Sequence, residues 1–297
     1  MSHRPRATEQ TTAAPGSVPS GFTEHRFPGM GGVVRVVVAG DDPTWLLEYV
    51  EQRIGDLETA WSRFRETSSR LVAAHPASLV VPLDTFRLVA CAVEAWRRTG
   101  GAFDPTVHLE WVDQGTAPVD CREQRRSSPG CAGVAVDADR SLVRLPCGVT
   151  VDPHTLRRGL AADIVTEELM ARGARSVLVD VAGVVRIRGG CPTVDGWVVD
   201  LPHRVPPAGI AVTVPPDAAV ASGTLQPRRR TRRHRGPRPT PFATVAVTAT
   251  TAWRAETLVT AVIARGGVTG LDLGTDTVTI WRPHAAASHR WSSQADL

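Results

Sequence analysis

The sequence predicts an α+β fold, and three observations carry that prediction. Segments with one apolar stripe at helical spacing are interspersed with valine-rich runs of strand length. The strand candidates cluster in consecutive groups instead of alternating with helices at a fixed interval, which disfavours a doubly wound sheet. No self-similar period runs through the chain, so solenoids and propellers are excluded. With 297 residues and 42% hydrophobic content, the chain is long enough to bury a substantial core.

The elements follow in order. Residues 1–20 are polar and carry neither the apolar run of a secretory leader nor a lipid anchor signal, so they read as a disordered tail of a cytoplasmic protein. Gly29-Met30-Gly31-Gly32 leads into a β-branched strand, Val33 to Val38. Asp41, Asp42 and Pro43 form a helix start, and Leu46, Leu47, Val50, Ile54, Leu57 and Trp61 continue it with one buried stripe. A second helix is expected from Pro82 to Arg98, stopped by Gly100-Gly101. The stretch from Asp113 to Gly133, rich in Pro, Ser, Gly and charge, reads as an irregular excursion. Short strands are expected around Val134 and Val143, then a helix from Thr155 to Arg172 ending at Gly173.

Further strands are expected at Ser176–Val181, Val184–Arg188, Trp197–Leu201, Ile210–Val214 and Ala243–Thr248. A helix over Ala252–Arg265 closes at Gly266-Gly267, and Thr277–Trp281 is the last expected strand. Residues 21–283 thus form the folded unit, with 225–241 as an Arg/Pro-rich loop within it and 284–297 as a frayed tail. No run of about 18 apolar residues exists, so no membrane-spanning helix is expected.

Charge is concentrated. All 34 basic residues are arginine, and the absence of lysine excludes Schiff-base and P-loop lysine chemistry. The segment Arg228 to Arg238 holds seven arginines and no acid; without them the formal net charge of +4 becomes −3. Its flanking prolines forbid a continuous helix. It reads as a solvated loop, a clamp for phosphate oxygens or a polyanion contact. A basic face with interleaved aromatics is not seen elsewhere, so no nucleic-acid partner is expected. The five cysteines are odd in number and lack CxxC spacing, which argues against a zinc ribbon or a disulfide framework and for a reduced chain.

Four ordered stretches carry a resemblance. They are Trp61-Ser62-Arg63-Phe64-Arg65 with Ser68-Ser69-Arg70-Leu71; Thr99-Gly100-Gly101-Ala102-Phe103-Asp104-Pro105-Thr106-Val107; Val151-Asp152-Pro153-His154-Thr155-Leu156-Arg157-Arg158-Gly159-Leu160-Ala161-Ala162-Asp163; and Thr251-Ala252-Trp253-Arg254-Ala255-Glu256-Thr257-Leu258-Val259-Thr260. Together, from about Met30 to Gly267, they resemble the ApbE family of FAD:protein FMN transferases. The resemblance implies a two-lobed α+β domain with mixed or antiparallel sheets and flanking helices. It implies an Mg²⁺-dependent enzyme that takes FAD as substrate and moves its FMN half onto a threonine hydroxyl of an acceptor protein, releasing AMP.

By the same resemblance Thr155, Glu256 and Thr260 are metal ligands. Met30, Phe64, Ala102, Phe103, Asp104, Asp152 and Arg158 are FAD contacts, and His234 is the catalytic base. The residue types suit phosphoryl transfer, which rests on positioning and charge neutralisation, with a hard cation on oxygen ligands. Each has a plainer reading too. Glu256 and Thr260 share one helix face as any i,i+4 pair does. Met30 and Phe64 could be core, Asp104 and Asp152 turn caps, and Arg158 a cover for its helix surface.

Departures from the family pattern are specific. His154-Thr155 replaces a glycine pair, Ala182-Gly183-Val184 lacks an aspartate, and Glu256 is one methylene longer than the family's aspartate. The segment around His234 lacks the Asp-Pro and Thr-Gly of the family's HxxDPxTG; His154 is a second candidate base. Two alternatives stand beside the transferase: a catalytically impaired FAD-binding homologue, and a polyanion- or partner-binding protein using the arginine loop.

Overall fold

In the computed structural model, which describes residues 18–73, 75–108, 130–192, 196–201, 210–225, 243–281 and 289–292, the valine-rich runs find one another first. β1 (Thr23–Gly29) and β2 (Gly32–Ala39) form a hairpin, and β8 (Ser176–Val181) and β9 (Val184–Gly189) a second one beside it. With β12 (Ala219–Leu225), β13 (Ala243–Ala249), β14 (Thr277–Trp281) and β15 (His289–Ser292) they make an eight-stranded sheet in the order β1-β2-β8-β9-β12-β13-β14-β15. Every neighbouring pair is antiparallel.

The sheet is covered on both sides, which is why β2 carries valine on both faces, with Arg35 as its one polar residue, rather than a half-polar alternation. Val34, Val36 and Val38 join the main core, whereas Val37 turns to the opposite face with Leu178, Ile187 and Val220. A ribbon of β10 (Trp197–Asp200) and β11 (Ala211–Val214) closes that second face, with Trp197 and Val214 in its core.

Among the described residues, four helices lie over the main core. α1 (Pro43–Val72) starts where Asp42 accepts a hydrogen bond from Trp45 N at 3.1 Å, with Pro43 in the first turn. Its buried stripe runs Leu46, Val50, Ile54, Leu57, Trp61, Phe64. α2 (Leu83–Arg98) ends at Thr99, and Gly100 and Gly101 take positive φ there. α3 (Arg157–Ala171) packs on β8 and β9, and α4 (Ala252–Arg265) on β12 and β13. Gly266, at φ 77°, closes α4 with left-handed backbone, as expected. Arg53 ties three helices together, binding Asp84 at 2.7 Å and Glu168 at 3.0 Å.

The remaining strands are short: β3 (Ala77–Val80), β5 (Ala135–Asp137) and β6 (Leu142–Leu145) form one small sheet, and β4 (Thr106–His108) pairs with β7 (Val149–Val151). The described residues form one domain of antiparallel sheets and four helices. Among the described residues no helix is long and apolar enough to cross a membrane.

Three expectations change. The helix expected from Thr155 begins only at Arg157, after a 3₁₀ turn over Pro153–Thr155, because Leu156 breaks the helical backbone at φ −146°. The region expected to fray after 283 contributes β15, whose register pairs Ile280 with His289. Cys91, Cys131 and Cys191 are free thiols, but Cys147 is disulfide-bonded, against the expectation of a wholly reduced chain. Cysteine pairing depends on proximity in the fold, which spacing does not report. Most of the excursion expected between 113 and 133, and all of the Arg228–Arg238 segment, lie outside the described residues.

Candidate functional site

The site forms where the N-terminus of α3 meets α1, α4 and the β1–β2 turn. α3 and α4 approach so closely that a Cβ on Gly159 would sit 2.5 Å from the Ala252 carbonyl oxygen, so only glycine fits. The crossing is held by Asp163, whose two oxygens accept from Ala252 N and Trp253 N at 2.9 Å each and so cap α4 from the neighbouring helix. One turn into α4, Glu256 points back across the gap. Its Oε2 accepts from Gly159 N and its Oε1 from Arg158 Nε, both at 2.8 Å. Glu256 is buried, which pushes its carboxyl above the usual range; Arg158 and the Gly159 N–H oppose that shift. Arg158 remains partly exposed and also donates weakly to the Ala182 carbonyl at 3.5 Å.

A second knot fixes the β1–β2 turn. Met30 has φ 51°, left-handed backbone for a residue with a side chain. Glu58 of α1 accepts from Met30 N at 3.1 Å, and Arg157 donates to Met30 O at 3.1 Å. Arg157 and Glu58 then lie 3.6 Å apart, closing the ring. Beside this ring opens a cavity of about 410 Å³. One wall is the polar face of α1, with Glu58, Ser62, Arg65, Glu66 and Ser69 above Trp61; the other is Pro153, His154 and Arg157.

The 3₁₀ turn that carries His154 is itself anchored. Asp152 accepts from His154 N at 3.1 Å, and Asp152 N donates to Pro105 O at 2.8 Å. That last bond, with the β4–β7 pairing, brings the Asp104 turn beside Asp152. Arg65 reaches within 4.0 Å of Asp152 from α1. Burial, then the positive charges of Arg157 and Arg65, depress the His154 pKa below the usual 6.5, with Asp152 opposing. The imidazole is therefore held neutral at physiological pH. Leu156 gives the N-terminus of α3 no side-chain cap of its own, and Glu256 satisfies Gly159 N from α4 instead; Arg157 at the start of the helix and Arg65 across the cavity make a positive setting that favours an anion.

The expected site residues divide. Asp152 stands beside the cavity, holding His154 N, and Met30 anchors the turn through its backbone; Arg158 follows Arg157 of the cavity wall and is bound to Glu256 at the α3–α4 crossing. The side chains of Met30, Phe64 and Phe103 are buried in the core and do not line the cavity. Asp104 caps its own turn, accepting from Thr106 N at 2.9 Å and from the Thr106 hydroxyl at 2.6 Å; neighbouring Ala102 is half-buried. His234 lies outside the described residues.

The expected metal ligands do not offer a divalent ion an open donor set. Glu256, the one carboxylate among them, is buried and already carries the Arg158 guanidinium on Oε1 and the Gly159 N–H on Oε2, so a divalent ion there would stand against a fixed positive charge. The Thr260 hydroxyl donates to the Glu256 carbonyl at 3.1 Å, one turn back on its own helix. Thr155 is placed only as backbone of the 3₁₀ turn. Among the described residues no group of three His, Cys, Asp or Glu could hold a metal. With a guanidinium already on their one carboxylate, the described residues do not fit Mg²⁺ at that position. The extra methylene of Glu256 supplies the physical reason, since it lets the carboxylate reach across to α3.

Glu58, Arg65 and Arg157 are functional candidates that the sequence reading did not single out. Glu58, Ser62, Arg65 and Ser69 recur at helical spacing along the flank of the buried stripe of α1, each one residue after a member of that stripe, a signal that was present but looked like ordinary solvated polarity.

Comparison with solved structures agrees with this architecture. The chain is similar to the apo form of the flavinyl transferase ApbE of Pseudomonas stutzeri, with 20% identity, a TM-score of 0.67, and 93% of this chain and 95% of that one covered. It is similar to the flavin transferase ApbE of Vibrio cholerae at 17% identity and TM-score 0.67, covering 92% and 97%. It is also similar to the ApbE protein of Thermotoga maritima at 21% and 0.65, covering 93% and 98%. At these identities the likeness establishes the fold. No curated protein matches the sequence. The ApbE family model, however, matches residues 30–279, a span that begins at the Met30 turn and takes in the α3–α4 crossing and the cavity wall, and on that match the chain belongs to the ApbE family.

Proposed function

We propose that this chain is an FAD:protein FMN transferase, which moves FMN from FAD to a threonine hydroxyl of an acceptor protein and releases AMP. The observation that carries this reading is a cavity of about 410 Å³ beside the N-terminus of α3, lined by Arg65, Arg157 and His154, in a chain of the ApbE family. The volume lies within the range of small-molecule clefts, about 300–1,000 Å³. Arginine forks beside a helix N-terminus suit a diphosphate.

In the reaction the acceptor hydroxyl oxygen bonds to the FMN-side phosphorus, the bond from that phosphorus to the bridging oxygen breaks, and AMP leaves with that oxygen. The hydroxyl proton passes to a neutral base. His154 sits in the cavity wall in the neutral form; His234 remains the candidate from the sequence. Arg157 and Arg65 bind and orient the diphosphate, and positioning with charge neutralisation carries most of such a reaction.

A second reading is favoured by one observation, the closed Arg158–Glu256 pair: a homologue that binds FAD without turnover. The test is incubation with FAD and a flavin-acceptor domain. A fluorescent acceptor band on a denaturing gel, with AMP released in equal amount, is expected. FAD binding without a band selects the second reading, and no FAD binding rejects both. Arg157→Ala is expected to weaken FAD binding by about tenfold or more, as loss of a charge-assisted hydrogen bond would.

A further inference from the structure

We infer that the Arg158 guanidinium stands in the cation's place beside Glu256, so that the diphosphate of a bound dinucleotide meets a fixed organic cation instead of a divalent ion. The inference rests on reading the cleft as an FAD site.

The geometry is one-sided in a useful way. One edge of Arg158 is spent on the carboxylate, through Nε to Glu256 Oε1 at 2.8 Å. On the other edge the single contact among the described residues is the long one from Nη1 to Ala182 O, at 3.5 Å. The side chain is 40% exposed while that of Glu256 is 5% exposed, so the pair presents N–H donors to solvent and hides its acid. Guanidinium donors match phosphate oxygens in pairs, as a metal ion's open coordination positions would.

Glu256 is buried and its single charge is already neutralised by Arg158. Its second oxygen is held by Gly159 N at 2.8 Å, inside a helix crossing too tight for any side chain at Gly159. A divalent ion would have to displace Arg158 and leave a guanidinium beside it, which like-charge repulsion opposes. Arg157, one residue earlier, has part of its guanidinium tied to Met30 O and Glu58, so Arg158 adds donors beside those that Arg157 has left for the diphosphate.

The experiment has two arms on the full chain. FAD binding is measured by flavin fluorescence in EDTA and in excess Mg²⁺. Affinities within about twofold of each other are expected, with Arg158→Gln weakening binding about tenfold or more in EDTA. A wild-type protein that binds FAD only when Mg²⁺ is present overturns the inference.

The second arm titrates the FAD-free protein with Mn²⁺, read by water-proton relaxation. No bound ion is expected for the wild type, and one is expected for Arg158→Gln, where Glu256 is released. Manganese bound by the wild type and lost in Glu256→Gln overturns the inference. The double variant Arg158→Gln/Glu256→Gln avoids leaving a buried charge unpaired; it should fold, lose FAD affinity and bind no Mn²⁺. Should FAD fail to bind in either medium, the transferase reading falls by itself. The manganese arm then still decides whether Glu256 is open to a divalent ion.

Discussion

Arg186 of β9 reaches Asp163 of α3, with Nε 3.1 Å from Oδ1 and both side chains buried between sheet and helix. Arg186 belongs to the sheet face that carries Val184, so the two-residue period of β9 aims it at the helix layer. Asp163 in turn caps α4, so this pair underlies the position of Glu256.

Burial pushes the Asp163 carboxyl up to about 7, against the pull of the two N–H groups and Arg186. A carboxyl whose folded pKa lies above its unfolded value, near 3.8, binds its proton more tightly when folded. Its contribution is full below about pH 4 and is lost as pH rises toward 7, at about 1.4 kcal/mol per pH unit within that window. Urea unfolding at several pH values checks this: the stability of wild type relative to Asp163→Asn should decline between pH 4 and 7. Arg186→Met leaves the carboxylate without its cation. Its penalty should reach about 3–5 kcal/mol above pH 7, where Asp163 is ionised, and shrink at pH 5. A pH-independent penalty would show that the pair is not what holds the carboxyl.

Gly159→Ala places a methyl group 2.5 Å from Ala252 O and 2.6 Å from the Trp253 Cα, both backbone and unable to turn aside. The helices must separate, and the Gly159 N to Glu256 bond lengthens with them. A loss of about 1–3 kcal/mol or more is expected in urea unfolding, together with weaker FAD binding. A Gly159→Ala variant as stable as the wild type would argue against the close crossing.

His154 is held below its ordinary pKa by burial and by Arg157 and Arg65. If it takes the hydroxyl proton, the acidic limb of kcat/KM for flavin transfer falls at a pH below 6.5. His154→Gln should abolish that limb and cut kcat by about 10²-fold or more, with FAD affinity nearly unchanged. A limb that survives in His154→Gln, with full kcat, assigns the base elsewhere.

Burial raises the Cys91 and Cys131 thiols to about 12. Both should stay unmodified by iodoacetamide at pH 8 in the native protein and react once it is unfolded, as mass spectrometry of the digested chain will show. Rapid native labelling at either position would mean that the α2 region opens.

The longest periodic segments were legible in advance. The Asp42-Pro43 start of α1, the Gly266 stop of α4 and the strands flanking Val181-Ala182-Gly183-Val184 follow from local chemistry that tertiary packing does not overrule. β1 was not legible, because Glu24, His25 and Arg26 break its apolar pattern and Pro28 reads as a loop residue. As an edge strand it pairs on one side only, with β2, and proline is tolerated there. The three-residue strands β4, β5 and β7 are too short to show a period. Of the site, Asp152 and Arg158 were recognisable from their motif, and Glu58 was not.

The sequence by itself determined which segments become helices or strands and which family the chain belongs to, because apolar period, caps and ordered motifs are local properties of the chain. What only the tertiary structure decided is who meets whom. Arg158 and Glu256 are 98 residues apart, and nothing in their spacing says that they pair. They pair because Gly159 lets two helices cross at backbone distance, and once buried there a carboxylate takes the nearest cation, which in this chain is an arginine.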